Sequence, residues 1–245
     1  MSELCLLAQI DAWSEYLRMP GTEQLKIEVI SDTICPWCYV GKRRLERAVA
    51  LLGNPPIEVE WKPFQLNPTM PREGMNRREY RTRKFGSWEH SRALDAQVRA
   101  AGAEVGIGFA PDMIVRTPNT LTSHQLIWLA GLHGRQDAVV EAIFCEYFCN
   151  GRDIGETAVL LELGLSAGLI RDEIEHRLNN AETREAVLRE ERKVRDLAVR
   201  GVPTFVVNGV PLASGAQPEA ALASAFRAAV AVGSGSTCGL EGECT

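Results

Sequence analysis

The 245-residue sequence predicts an α/β protein in which strands from both ends of the chain form one β-rich frame around a helical middle. Three observations predict this class: a strand–helix–strand pattern opens at residue 25, helical periodicity dominates residues 68–196, and a strand pattern returns after residue 200. With 45% hydrophobic residues, a chain of this length can bury a sizeable core without disulfides.

Local patterns assign the opening unit. Residues 25–31, LKIEVIS, alternate apolar and charged side chains as a half-buried strand does. The helical pattern that follows Cys38 has one apolar face and ends at Gly53-Asn54-Pro55-Pro56. Residues 57–65 form a second alternating run. The unit is therefore a βαβ element with two cysteines at its first turn.

The middle of the chain is predicted to consist of helices. Asn119 or Thr120 can cap a helix that begins at Leu121, and further helices are expected over 137–149 and 158–163. Residues 171–199 have many Glu/Arg pairs at helical spacing, which predicts one long charged helix.

The strand pattern returns in GVPTFVVNGVP at 201–211, where Asn208-Gly209 is a strong signal for a two-residue hairpin turn. An amphipathic helix over 218–232 closes the fold. The predicted organisation begins with an N-terminal extension at residues 1–24. The frame consists of residues 25–67 and 197–232, and a helical insertion at 68–196 lies between its two parts. A flexible cysteine-containing tail follows at 233–245.

Composition argues against several classes of function. The net charge of −5 and the absence of a basic stripe predict no nucleic-acid partner, and the basic runs 42–44 and 189–195 are expected to be solvated faces. No apolar run is long enough for a membrane span, and residues 1–24 do not have the pattern of a secretory signal. We therefore expect a cytoplasmic protein, in which thiols are kept reduced.

The sequence CPWC at 35–38 carries the chemistry. Cysteines at this spacing can reach disulfide geometry, and the first lies at a helix start, where free N–H groups and the helix dipole favour a thiolate. Pro36 suits the first helical turn because its missing N–H costs nothing there. Cys35 is thus the predicted nucleophile and Cys38 the resolving thiol. Trp37 adds no cation, so we expect a centre less oxidising than one with Pro-His.

Two alternatives for CPWC stay open, half of a zinc site and an inert pair. Five other cysteines exist. Cys145 and Cys149 are expected to be small apolar residues facing the core. Cys238 and Cys244 are a candidate second redox pair, or incidental thiols of the tail. No metal site is predicted.

The quoted motifs carry a resemblance. The strand–CPWC–helix opening together with GVPTFVVNG (201–209) resembles a thioredoxin-fold oxidoreductase, and the helical insertion makes the chain similar to the DsbA family. WKPFQLNP (61–68), PNTLTSHQLIWLA (118–130) and EYFCNGRDIGE (146–156) resemble the FrnE-like branch of cytoplasmic dithiol–disulfide isomerases. The expected fold class is a thioredoxin-like fold with a large inserted α-helical domain.

The resemblance implies a cis peptide bond before Pro203, opposite the cysteines, and pairing of bound substrate with the backbone of Val202. Pro36, Trp37, Val202 and Pro203 are therefore expected to contact substrate. Implied partners are protein or small-molecule thiols, with glutathione or thioredoxin as candidate electron partners and no organic cofactor. The oligomeric state, monomer or homodimer, stays open.

Two other functions are alternatives to the oxidoreductase. Glutathione-dependent isomerases and transferases of the 2-hydroxychromene-2-carboxylate isomerase and kappa-class types resemble the same fold but have a lone Ser in place of Cys35. A peptide-binding chaperone would need neither cysteine. His90 and His124 are expected to cap or pack, and Glu58 and Glu60 are expected to lie on a solvated face. Five aromatic residues are expected to form the core: Trp61, Phe64, Phe144, Tyr147 and Phe148. Some of these five are expected to line the cleft above CPWC.

Overall fold

The computed structural model describes residues 25–197 and 199–234. The strands of the described residues are β1 Leu25–Ser31, β2 Ile57–Pro63, β3 Met75–Asn76, β4 Arg116–Thr117, β5 Thr204–Val207 and β6 Val210–Ser214. Their helices are α1 Pro36–Leu51, α2 Arg77–Phe85, α3 Trp88–Glu104, α4 Leu121–Leu132, α5 Gln136–Phe148, α6 Thr157–Ser166, α7 Arg171–Asn179, α8 Ala181–Asp196 and α9 Glu219–Ser234.

The central sheet has the strand order β2-β1-β5-β6. β1 is parallel to β2 and antiparallel to β5, and β5 is antiparallel to β6. The alternation in β1 sends Ile27 and Val29 to a core shared with α1 and α9, whereas Ile30 packs on the other face with Val194 of α8. Both faces of the sheet are therefore covered, as the predicted frame requires.

Strands from the two ends of the chain meet at the pairing of β1 with β5, where Ile30 lies opposite Thr204. The hairpin predicted at Asn208-Gly209 is confirmed, because both residues have positive φ, 52° and 75°, as a type I′ turn demands. The expected thioredoxin-like fold with a helical insertion is confirmed at the level of these elements. The exact domain boundaries stay a prediction.

Two predicted elements are wrong in extent. The second strand ends at Pro63 rather than Gln65, because the Gln65 N–H donates to the buried Glu191 carboxylate at 2.8 Å. The single helix over 171–199 is two helices. Asn180 separates them with extended backbone, and its side chain caps α8 by accepting from the N–H groups of Glu182 and Thr183.

The basic run 42–44 is not a uniformly solvated face. Lys42 is 2% exposed, and its ammonium donates to Glu46 and, at 3.1 Å, to Asp137 at the start of α5. The predicted solvated face is wrong for Lys42 because a distant helix, α5, packs on α1 and supplies the carboxylates of Asp137 and Glu141.

The closing helix extends to Ser234, two residues into the predicted tail. Residues 1–24 and the cysteines Cys238 and Cys244 lie outside the described residues, so the extension and the second redox pair stay predictions. None of the helices in the described ranges combines the length and the apolar composition that crossing a membrane requires.

One close approach ties the two halves of the frame together. Gly41, in the second turn of α1, packs against the Pro203 ring, and a Cβ at Gly41 would lie 2.8 Å from the Pro203 Cγ atom. The proline ring cannot swing away as a flexible side chain would. Only glycine allows this approach of helix and loop.

Replacing Gly41 by alanine is therefore expected to lower the free energy of unfolding by about 1–2 kcal/mol, because overpacking at the Pro203 ring outweighs the better helix propensity of alanine. Urea unfolding of the two proteins would measure the difference. Gly108→Ala is the control, since a Cβ there meets nothing within 4 Å. A Gly41→Ala protein as stable as the parent would contradict the close contact.

Candidate active site

Cys35 lies at the N-terminus of α1, where the sequence analysis placed it. It is the N-cap residue with extended backbone (φ −93°, ψ 108°), and Pro36 follows in the first turn. The Cys35 N–H donates to the Asp32 carbonyl at 3.0 Å, and the Cys38 N–H donates to the Cys35 carbonyl at 3.0 Å. This turn places Cys35 at the N-terminus of the helix, where unpaired backbone N–H groups favour negative charge.

Cys38 lies one turn further along α1 and is fully buried. Burial is the main reason that its pKa is raised well above the usual thiol value, and the neighbouring Cys35 raises it further. The Ser31 side chain and the Asp32 backbone bond to the Cys38 sulfur and act in the opposite direction. In this structure both cysteines are free thiols. The two sulfurs are therefore unequal: Cys35 is 6% exposed and borders a pocket, whereas Cys38 has no exposed surface.

The predicted cis peptide bond between Val202 and Pro203 is confirmed. The Cys35 thiol donates to the Val202 carbonyl at 3.6 Å, so this loop faces the cysteine pair as expected. The loop is held in place by the Gly215 N–H, which donates to the Pro203 carbonyl at 2.7 Å, and by the Thr204 hydroxyl, which donates to the Gly201 carbonyl at 2.7 Å. Whether Val202 contacts substrate stays a prediction.

Asp32 is a site residue that the sequence reasoning missed. It is fully buried at the end of β1, and its Oδ2 atom accepts from the Leu66 N–H at 2.7 Å. Its Oδ1 atom lies 3.5 Å from Nε2 of His124, which is 3% exposed. His124 is therefore a packed residue, as expected, but it packs against the carboxylate beside the cysteines. The sequence signal that could have identified Asp32 is its position as a charged residue between an apolar strand and CPWC.

A pocket of about 350 Å³ opens beside Cys35, and we call it the Cys35 pocket. Its lining includes Cys35, Pro36 and the 38%-exposed Trp37, so three predicted site residues come together there. Tyr147 also lines it, as the expectation of an aromatic cleft required. The other lining residues are Ile34, Leu66, Arg77, Tyr80, Arg81, Lys84, Phe85, Leu94, Gln97, Val98 and Thr117. Sequence reasoning did not find the contribution of α2 and α3.

Cys145 and Cys149 are half-buried rather than buried, which corrects the prediction. They lie at the end of α5, one turn apart, and bond to each other as thiols. Burial is the main reason that their pKa values are raised, to about 11 for Cys149. Both are therefore protonated near neutral pH and are poor nucleophiles.

Three other residues named in the sequence analysis, His90, Glu58 and Glu60, lie outside the Cys35 pocket. His90 is exposed and lies in the first turn of α3, where its N–H donates to the Ser87 hydroxyl at 3.0 Å. Glu58 is exposed, and Glu60 is half-buried and pairs with Lys62 at 2.6 Å. Neither glutamate lines the Cys35 pocket. All five predicted core aromatic residues are buried.

A zinc site would need further ligands near CPWC. The described parts of the chain contain no group of three or more His, Cys, Asp or Glu side chains that could hold a metal ion. A zinc site built on Cys35 and Cys38 would therefore depend on residues outside the described ranges.

A family model and individual related proteins both match this chain. The model of the DSBA-like thioredoxin domain family matches residues 26–227. The chain is 24% identical over 195 residues to the uncharacterized protein YwbO of Bacillus subtilis, covering 77% of this chain and 90% of that protein. A probable DsbA oxidoreductase from Streptomyces coelicolor is 30% identical, with a TM-score of 0.77 over 90% of this chain and 94% of that chain.

More distant solved structures share the fold alone. The cytosolic disulfide reductase DsbM from Pseudomonas aeruginosa, solved with glutathione, is 19% identical, with a TM-score of 0.58 over 85% of this chain and 98% of that chain. A 2-hydroxychromene-2-carboxylate isomerase is 14% identical, with a TM-score of 0.65 over the same shares.

The raised pKa of Cys38 makes a testable prediction. In a Cys35→Ser variant, alkylation of Cys38 by iodoacetamide is expected to accelerate with pH without levelling off near about 8.5, the value of an unperturbed thiol. Peptide mapping by mass spectrometry separates this site from the other cysteines. The same variant in denaturant is the control, because there the profile should return to about 8.5. A folded-state midpoint at or below that value would contradict the described burial.

Proposed function

The chain belongs to the DsbA-like thioredoxin family, and from this premise we propose that it is a thiol–disulfide oxidoreductase whose reactive pair is Cys35 and Cys38. Family membership supports a redox enzyme in general. The placement of the two sulfurs supports the finer assignment, in which Cys35 reacts with substrate and Cys38 completes the exchange.

The proposed reaction consists of two thiol–disulfide exchanges. The Cys35 thiolate attacks one sulfur of a substrate disulfide, which forms a mixed disulfide and releases the first substrate thiolate. Cys38 then loses its proton and attacks the Cys35 sulfur, which closes the Cys35–Cys38 disulfide and releases the second thiolate. Two electrons pass from protein to substrate. In the reverse direction the oxidised pair accepts two electrons from a substrate dithiol.

The observation that carries this proposal is the asymmetry of the pair. Cys35 lines a pocket at a helix N-terminus and lies 3.6 Å from the Val202 carbonyl, whereas Cys38 is fully buried behind it. A nucleophile must reach its substrate, and a resolving thiol must react only with its neighbour. The raised pKa of Cys38 keeps it protonated until the mixed disulfide forms beside it.

We further propose that the protein acts in the cytoplasm, in the manner of the FrnE-like branch, on protein or small-molecule thiols. The pair would then exchange electrons with glutathione or thioredoxin. The fold that the chain shares with a cytosolic disulfide reductase solved with glutathione is compatible with this role. The exchange uses only sulfur chemistry, so the scheme includes no metal or organic cofactor.

A glutathione-dependent isomerase is the second candidate, because one such enzyme shares the fold. The residue at the helix start argues against it. Cys35 supplies its own nucleophilic sulfur, and a paired Cys38 has no role in glutathione-assisted isomerisation.

Single-cysteine variants test the proposal directly. Cys35→Ser is expected to abolish turnover of a disulfide substrate. Cys38→Ser is expected to lower turnover at least about 100-fold while accumulating a mixed disulfide at Cys35, because only resolution is removed. Mass spectrometry of the trapped adduct and stopped-flow turnover measure the two effects.

The variants also separate the alternatives. Activity that survives Cys38→Ser and requires glutathione would favour the isomerase. Holdase activity unchanged in a double Cys35→Ala, Cys38→Ala protein, together with no redox turnover in the parent, would favour a peptide-binding chaperone.

The neutral Trp37 makes a second prediction, for the reduction potential of the pair. Trp37→His is expected to raise the potential by on the order of 30 mV, equivalent to about 1.4 kcal/mol, because a cationic imidazole near the helix start stabilises the thiolate form. Trp37→Gln is the neutral control.

The potential can be measured by equilibration in glutathione buffers, with the two forms separated by alkylation and mass spectrometry. A variant with Cys238 and Cys244 replaced by serine shows whether the tail is coupled to the centre. Equal shifts in the His and Gln variants would refute the electrostatic explanation.

A further inference from the structure

The wall of the Cys35 pocket formed by α2 carries excess positive charge. Arg77, Arg81 and Lys84 line the pocket, and none of its described lining residues is an aspartate or a glutamate. The carboxylate of Asp95, on α3 behind this wall, is shared by the two arginines. One carboxylate therefore faces two guanidinium groups, and the ammonium of Lys84 adds a third cation.

Arg77 is the most deeply placed of the three. It is 7% exposed, and its Nη2 atom donates to both oxygens of Asp95 at 3.1 Å. Its Nε atom is buried and has no hydrogen-bond partner among the described residues. A buried guanidinium N–H without an acceptor is costly, so Arg77 retains unused capacity to donate to an anion.

Arg81 stands one turn further along α2. It donates to the Ser91 carbonyl at 3.1 Å and pairs with Asp95 at 2.9 Å, and its guanidinium lies 4.9 Å above the Phe85 ring. Burial and the neighbouring Arg77 charge lower the pKa of Arg81 below its ordinary value. The pKa of Arg81 is lowered although Asp95 acts to raise it, so Asp95 compensates the charge of Arg81 only in part.

Lys84 completes the row and is the exposed member. Its ammonium donates to the Tyr80 hydroxyl at 2.7 Å and to Asn67 Oδ1 at 3.3 Å, both neutral groups. The pocket therefore joins a reactive sulfur and the apolar side chains of Ile34, Trp37 and Leu66 to a row of three cations.

We propose that the Cys35 pocket selects low-molecular-weight disulfides and thiols that carry a carboxylate, which the row Arg77, Arg81 and Lys84 binds while the substrate sulfur reaches Cys35. This inference rests on the proposed function and specifies its substrate class. A pocket of about 350 Å³ lies at the small end of ligand sites and suits a molecule of a few residues rather than a folded domain.

The proposed reaction with a carboxylate-bearing disulfide is a two-electron exchange. A reduced protein and a symmetrical disulfide RSSR, in which each R carries a carboxylate, give the Cys35–Cys38 disulfide and two RSH molecules. The substrate disulfide is the oxidant, and the two cysteine protons pass to the two released thiols through solvent.

A series of small disulfides of similar size isolates the charge. Stopped-flow rates of oxidation of the reduced full-length protein would be measured with 3,3′-dithiodipropionate (anionic), hydroxyethyl disulfide (neutral) and cystamine (cationic). Each rate would be divided by the rate of the same disulfide with dithiothreitol, which removes intrinsic reactivity. The normalised rate is expected to be at least about 10-fold higher for the anion than for the neutral compound, and lowest for the cation.

Variants of α2 assign the effect to the pocket. Arg81→Gln is expected to reduce the ratio of the anion rate to the neutral rate about 10-fold, and Lys84→Gln about 3-fold. Arg83→Gln is the matched control, because this substitution removes the same charge from the same helix. Arg83 is exposed, pairs with Glu79 and does not line the pocket. The urea unfolding midpoint shows whether each variant is folded, and Lys84→Gln tests the inference if the Arg81→Gln protein is not folded.

The outcomes separate this inference from the proposed function. Equal normalised rates for the three disulfides, or an effect of Arg83→Gln as large as that of Lys84→Gln, would overturn the anion site while leaving the oxidoreductase intact. Failure of all three disulfides to oxidise the Cys35–Cys38 pair would instead overturn the proposed function.

Discussion

The buried carboxylate of Asp32 fixes the arrangement on which the candidate site depends. Its side chain accepts the Leu66 N–H, its carbonyl accepts the Cys35 N–H, and its backbone bonds to the Cys38 sulfur. A buried polar side chain is costly unless it is hydrogen-bonded, and the Oδ2 atom of Asp32 has such a bond. The end of β1, the cysteine turn and the loop after β2 are therefore joined through one residue.

The resulting geometry makes two chemically identical thiols unequal. Cys35 meets the pocket and the Val202 carbonyl, while Cys38 is enclosed by the core. The close contact of Gly41 with Pro203 keeps helix and loop together at this point. Because the asymmetry comes from burial and backbone placement, it does not require a charged residue between the cysteines, where this chain has Pro36 and Trp37.

Features set by neighbouring residues could be predicted from the sequence, and features set by distant contacts could not. The bounds of β1, the start of the helix at CPWC and the Asn208-Gly209 turn follow from local periodicity and turn chemistry. The break at Asn180 was missed because helical charge pairing masked its capping side chain. Asp32 and Arg77 were missed because their roles depend on segments that meet them only in the folded protein.

The proposed function and the proposed anion site place chemistry and selectivity in different parts of the chain. The sulfurs and the Val202–Pro203 loop belong to strands and a helix of the frame, brought together by the pairing of β1 with β5. The cations of the pocket wall belong to α2, within the insertion. Under the proposed function, substitutions on α2 are therefore expected to change which thiol is bound without moving the two sulfurs. The reverse does not hold, because a change at β1 or at Pro203 alters the sulfur geometry for every substrate.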